Sequence, residues 1–267
     1  MNTPIPGLDD ILFTTDDGVG RITINRPEVL NALRRQTYVE LLAAMDACAD
    51  DHEIGVVIIT GAGDRSFCSG GDVRGQRTRR PEEGRSHMRT LLKLGESIRT
   101  CGKPVLASVN GYAIGSGHEL HLMCDLTIAA DTARFGQVGP RVGGLPFWGA
   151  VQMLPRTVGE KRAREILFLC EQYTADEALA MGLVNKVVPL SELAAETDAM
   201  AQRILDLSPR SLRLLKMLVN HGSDLDHPTY AMGAELLAST FGDDENLEGI
   251  NAFLEKREPD YRKFRRR

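Results

Sequence analysis

Residues 110–125 read NGYAIGSGHELHLMCD, which places a glycine-serine-glycine step, Gly115 to Gly117, before a short apolar helical pattern. Glu119 sits in that pattern among Leu120, Leu122 and Met123. A second glycine-rich turn, GAGDRSFCSGGDV (61–73), carries Gly70 and Gly71. Both turns follow short apolar runs, VLASV (105–109) and VVIIT (56–60). In parallel α/β sheets ligands gather where strands end at their carboxyl edge, and backbone amides exposed in such turns attract negatively charged oxygen. A carboxylate in apolar surroundings has its pKa raised and can shuttle protons. The chemistry suggested is proton transfer beside a group that builds negative charge on oxygen. The plainer alternative is that Glu119 pairs with an arginine or caps the start of its helix.

Other chemistries fail on spacing. The third glycine of a dinucleotide fingerprint would fall at Leu120, and no G-x-x-x-x-G-K-[ST] stretch is present. A serine-hydrolase elbow around Ser116 would need glycines at Ile114 and His118. His118 and His121 would form a zinc motif only with histidine at Leu122, so no metal site is expected and both imidazoles read as packed helix residues. Cys68 follows Phe67 with no base nearby in sequence and reads as a buried thiol.

The elements that must position these groups are legible in outline. Apolar β-like runs at 11–15, 19–24, 56–60, 105–109 and 126–130 alternate with helical patterns at 37–49 and 88–99, which predicts an α/β fold with buried, mostly parallel strands. From about Glu160 the pattern is helical, with segments at 160–169, 191–207, 209–220, 228–241 and 244–256 and starts near Ser208, Asp226 and Asp243. No internal repeat or low-complexity linker is visible. The expected division is an α/β core over 1–200 and a C-terminal helical region over 201–267.

The bulk properties narrow the partners. The 267 residues carry a formal net charge of −5, which argues against nucleic acid. Two basic runs read as solvated surface: Arg74, Arg77, Arg79, Arg80 and Arg85, and a C-terminal run from Lys256 to Arg267. Five widely spaced cysteines without a C-x-x-C pair suggest a reducing compartment. With no basic-then-apolar leader at the start and no membrane-length apolar segment, the expected location is the cytoplasm.

Taken in order, FCSGGDV, KPVLASVNGYAIGSGHEL, CDLTIAA, ARFGQVG and TADEALAMGLVNKVVP resemble the enoyl-CoA hydratase/isomerase (crotonase) family. The similarity runs from NRPEVLNAL (25–33) to the C-terminal helices. The resemblance implies a spiral of ββα units, a C-terminal trimerisation region, a homotrimer or hexamer, and an acyl-CoA thioester substrate. CoA then belongs to the substrate, and no tightly bound cofactor is expected. By matching position, the N–H groups of Gly71 and Ser116 would hold the thioester oxygen, Ser116 standing where a glycine is common in the family. Glu119 aligns with the first of the two glutamates that hydratases use as acid and base. Ser69, Gly70, Asp72, Val73, Tyr112 and Gly115 fall within the same matched loops. An enolate oxygen needs donors fixed in advance in a dry pocket, and loss of one such donor costs about 10²- to 10³-fold in rate.

The pattern also breaks. The second hydratase glutamate would stand at 139, which is Gly139. FGQVGPRVG and the C-terminal INAFLEKREPDYRKF are most similar to the naphthoate-synthase branch and related ring-opening hydrolases, where a glycine at this position admits a bicarbonate base held partly by the glutamine at Gln137. From that branch, Arg34, Arg74 and Lys256 would meet CoA phosphates, and Phe241 would line the site. Its serine, aspartate and loop tyrosine are absent, since 144 and 146 are Gly144 and Pro146. Phe147 and Trp148 either reshape the acyl pocket or fill core. Three functions stay open: hydratase/isomerase proton transfer of the lyase type, ring closure or opening with bicarbonate, and silent acyl-CoA binding.

Overall fold

A computed structural model of the chain describes residues 5, 7–75, 77 and 80–266. The predicted Arg79 and Arg267 of the basic runs lie outside these. Strands follow in chain order as β1 (Ile11–Asp16), β2 (Val19–Ile24), β3 (Val56–Gly61), β4 (Ser66–Cys68), β5 (Val105–Val109), β6 (Tyr112–Ile114), β7 (Leu126–Ala130), β8 (Arg134–Gly136), β9 (Gln172–Thr174) and β10 (Lys186–Val188). One sheet has the order β1-β2-β3-β5-β7-β10, parallel except for the β1–β2 hairpin. The other runs β4-β6-β8-β9, with β9 antiparallel to β8. The central strands β3 and β5 are buried on both faces, which is why they read as unbroken apolar runs rather than alternating ones.

Each of β3, β5 and β7 leads within a few residues into a short strand of the second sheet, β4, β6 and β8. This is a structural repeat that the sequence conceals. The short strands have three residues each, too few for a period-2 signature, and they pair only because the larger sheet brings them together.

The helices are α1 (Arg35–Asp50), α2 (Pro81–Thr100), α3 (Ser116–Met123), α4 (Leu154–Val158), α5 (Glu160–Leu169), α6 (Ala175–Ala180), α7 (Leu193–Leu205), α8 (Pro209–Asp224), α9 (His227–Thr240) and α10 (Asp244–Leu254). Ser208 and Asp243 cap as expected, accepting from Ser211 N–H at 3.4 Å and Asn246 N–H at 2.7 Å. Asp226 occupies the position before α9 but makes no side-chain cap bond. The main core lies between the sheets and α1, α2 and α3, with Ile22, Leu41, Met45, Ile59, Leu94 and Phe135 fully buried.

The C-terminal helices are tied into this core. α9 packs along α2. Lys216 of α8 is buried and donates to Ile98 O at 2.7 Å, Lys103 O at 2.9 Å and Asp125 Oδ2 at 2.7 Å. Three acceptors around one ammonium offset the cost of taking it from water. Among the described residues no helix is long and apolar enough to cross a membrane.

Candidate active site

The loop before β4 is built by Asn31, a buried residue at φ 56°. Its Oδ1 accepts from Arg26 N–H at 3.0 Å, and its Nδ2 donates to Ala62 O at 3.0 Å and Ser66 O at 2.6 Å. The following residues then grip the SGGD turn: Ser69 N–H donates to Leu30 O, Leu33 N–H to Gly70 O at 2.8 Å, and Asp72 N–H to Leu33 O at 2.8 Å. In this parallel bridge the flanking groups face Leu33, so the Gly71 N–H is turned to the other side. Gly70 holds φ 114°, where a side chain would be strained.

α3 meets this turn at close range. A Cβ on Gly117 would collide with Cys68 O, so only glycine lets the helix start so near β4. A Cβ built on Gly70 would lie 3.9 Å from Ser116 N, and one on Gly115 3.7 Å from Gly70 Cα. Ser116 opens α3, and its N–H belongs to the first turn, which has no intrahelical acceptor. Among the described residues neither the Gly71 nor the Ser116 N–H has a hydrogen-bond partner. Two unused donors thus stand in adjoining loops.

Both loops line a cavity of about 810 Å³. Its wall also includes Ser69, Gly70, Asp72, Val73 and Arg74 from the SGGD turn, Tyr112 and Gly115 beside it, and Glu119 within α3. Gln137, Gly139, Phe147, Phe241 and Lys256 line the same cavity. Arg34 and Trp148 are elsewhere. The Arg34 guanidinium is clamped on Asp10, with Nε to Oδ2 at 2.8 Å and Nη2 to Oδ1 at 2.7 Å, and does not reach the cavity. Trp148 is fully buried against Tyr38, ring centroids 6.2 Å apart, and serves as core. The sequence had not pointed to His87, Met88 and Leu91 of α2 or to Leu237 of α9, which form the apolar wall. Their only signal is the apolar faces of α2 and α9, which also fit plain packing.

Glu119 is 5% exposed, and among the described residues it is the buried carboxylate of the cavity. Its Oε1 accepts from Phe147 N–H and Trp148 N–H, each at 2.9 Å, and the Ser116 side chain also bonds it. Neither an arginine nor the helix start accounts for it. Burial pushes its pKa up to about 8 against the opposing pull of those amides and of Ser116. Cys68 is fully buried and its thiol is pushed up to about 12 by that burial, in line with a structural role. Burial of His118 and His121 lowers both imidazoles, keeping them neutral. Among the described residues no group of three or more His, Cys, Asp or Glu side chains could hold a metal.

Gly139 begins a 3-10 turn, Gly139–Val142. A Cβ there would lie 2.6 Å from Pro146 Cδ and 2.9 Å from Cγ, so the pyrrolidine ring fills the direction in which a side chain would leave. Gly139→Glu is therefore expected to lower the thermal midpoint by several degrees without adding enoyl-CoA hydration, as checked by calorimetry and a hydration assay.

A family profile described as Enoyl-CoA hydratase/isomerase matches residues 14–264. A crystal structure of an enoyl-CoA hydratase from Mycobacterium avium subsp. paratuberculosis K-10 is 30% identical, with TM-score 0.88, covering 96% of this chain and 99% of that one. An enoyl-CoA hydratase structure from Bacillus anthracis is 31% identical, with TM-score 0.78 and coverage of 95% and 99%. One from Geobacillus kaustophilus HTA426 is 33% identical, with TM-score 0.76 and coverage of 95% and 98%. The mixed α/β spiral with C-terminal helices is the crotonase fold, and the chain belongs to the enoyl-CoA hydratase/isomerase family.

Proposed function

We propose that this chain binds an acyl-CoA thioester and moves a proton at the acyl carbons through an enolate. The thioester oxygen lies between the N–H groups of Gly71 and Ser116, and Glu119 takes and returns the proton. The observation that carries this reading is the joint placement of two unpartnered backbone donors and one buried, amide-anchored carboxylate in a single apolar cavity. Oε1 is committed to Phe147 and Trp148, which orients the carboxyl group as a proton carrier needs. As the enolate forms, negative charge moves from the substrate carbon to its oxygen, where the two fixed dipoles need no reorganisation.

One buried carboxylate favours proton shuttling, as in double-bond migration, over hydration with two carboxylates. The Pro146 ring beside Gly139 supports that preference. Lys256 and Arg74 at the cavity wall suit CoA phosphates. The exposed apolar residues Leu214, Leu215, Met217, Leu218 and Val219 on α8 fit a homotrimer or hexamer. The test is a panel of saturated, 2-enoyl, 3-enoyl, 3-hydroxy and cyclic 2-keto acyl-CoA esters, followed by mass spectrometry with deuterium oxide and with or without bicarbonate. Conversion between 2- and 3-enoyl esters with solvent deuterium incorporation is expected. Binding without exchange or turnover on any ester would leave only a silent binding protein.

A further inference from the structure

Gln137 is held from behind. It follows β8, is 1% exposed and lines the cavity together with Glu119. Its Nε2 lies 3.4 Å from Gly115 O and 3.2 Å from His118 Nδ1. A carbonyl oxygen only accepts, so the amide atom facing Gly115 is the nitrogen, and the orientation of the amide follows from that chemistry. The same nitrogen then donates to His118 Nδ1, which requires the ring proton to sit on Nε2. His118 is fully buried, and burial drives its pKa down to about 3, so it stays neutral and keeps Nδ1 as an acceptor at working pH. Both amide protons of Gln137 are thereby engaged, and Oε1 is the polar atom left for the cavity.

We infer that Gln137 is a specificity-determining residue that offers the acyl site a hydrogen-bond acceptor, with His118 as its positioning residue. The group it selects carries a proton to donate: a hydroxyl on the acyl chain or a water. Carboxylate anions, which carry no proton and would need the amide N–H groups, are turned away. Unlike a second glutamate, the amide oxygen orients such a group without taking its proton. The inference rests on the acyl-CoA reading above and concerns which acyl groups that site prefers.

Two measurements test it. Titration calorimetry compares 3-hydroxybutyryl-CoA with butyryl-CoA, with and without acetate, on the wild type, Gln137→Leu and His118→Leu. The wild type is expected to favour the hydroxy ester by about fivefold to tenfold, the scale of one hydrogen bond. That preference disappears in Gln137→Leu and shrinks in His118→Leu, and acetate leaves wild-type binding unchanged. Separately, ¹⁵N NMR of the ligand-free wild type is expected to show a neutral His118 protonated on Nε2. An Nδ1-protonated tautomer would mean the amide is reversed, and would overturn the inference without any ligand. Equal wild-type binding of the two esters, unchanged in Gln137→Leu, overturns it too and leaves the acyl-CoA reading standing. If neither ester binds, both fall together.

Discussion

Glu119→Gln is expected to lower kcat by about 10²- to 10⁴-fold, the usual contribution of a positioned acid-base group, while acyl-CoA binding persists. The glutamine keeps an oxygen for the Phe147 and Trp148 amides, so the loop they belong to stays in place and only the proton-carrying capacity is lost. Binding measured by calorimetry beside single-turnover kinetics separates the two effects. The pH dependence has a definite sign. With its pKa raised to about 8, only about a tenth of Glu119 is ionised at pH 7. If the carboxylate is the base, kcat/KM climbs through neutrality and levels off above pH 8, and the glutamine variant loses that rise. Stability runs the opposite way. A carboxyl held protonated in the fold but free to ionise when unfolded favours unfolding progressively as pH rises from the ordinary carboxylate range through 8. Glu119→Gln removes that penalty and is expected to be more stable than the wild type at pH 9.

The second large effect is expected at Ser116. Ser116→Pro deletes one N–H at the first residue of α3, a position where proline's fixed φ is compatible with a helix. Loss of one enolate donor is expected to cost about 10²- to 10³-fold in kcat. Because the serine hydroxyl also touches Glu119, Ser116→Ala is the necessary companion: it keeps the amide, removes the hydroxyl, and is expected to change kcat less than tenfold. Circular dichroism of both variants checks that the helix survives. Equal activities of the proline and alanine variants would mean that the amide does not serve the reaction.

Much of this architecture was readable because buried parallel strands and amphipathic helices leave long, redundant patterns. β3 and β5 are unbroken apolar runs, and Ser208 and Asp243 announce helix starts by their chemistry. The glycine turns were legible for a related reason: close backbone approach leaves room for little else. What escaped depends on partners distant in sequence. Arg34 shows a charge but not that Asp10 holds it. Trp148 shows bulk but not which way it turns: it is fully buried against Tyr38, while Phe147 lines the cavity. Pro146 and Gly139 meet only because a 3-10 turn folds between them. Gln137 and His118 become a pair only once β8 lies beside the start of α3.

The ammonium of Lys216 bears on how the chain comes apart. It closes carbonyls at the end of α2 and in the turn before β5, together with the carboxylate before β7, so the last third of the polypeptide serves as a plug for the first two. Cutting it away would take from those acceptors their buried donor and uncover the apolar surface beneath α8 and α9, and neither portion has reason to survive alone. The sequence suggests two regions, whereas thermodynamics should count a single cooperative unit.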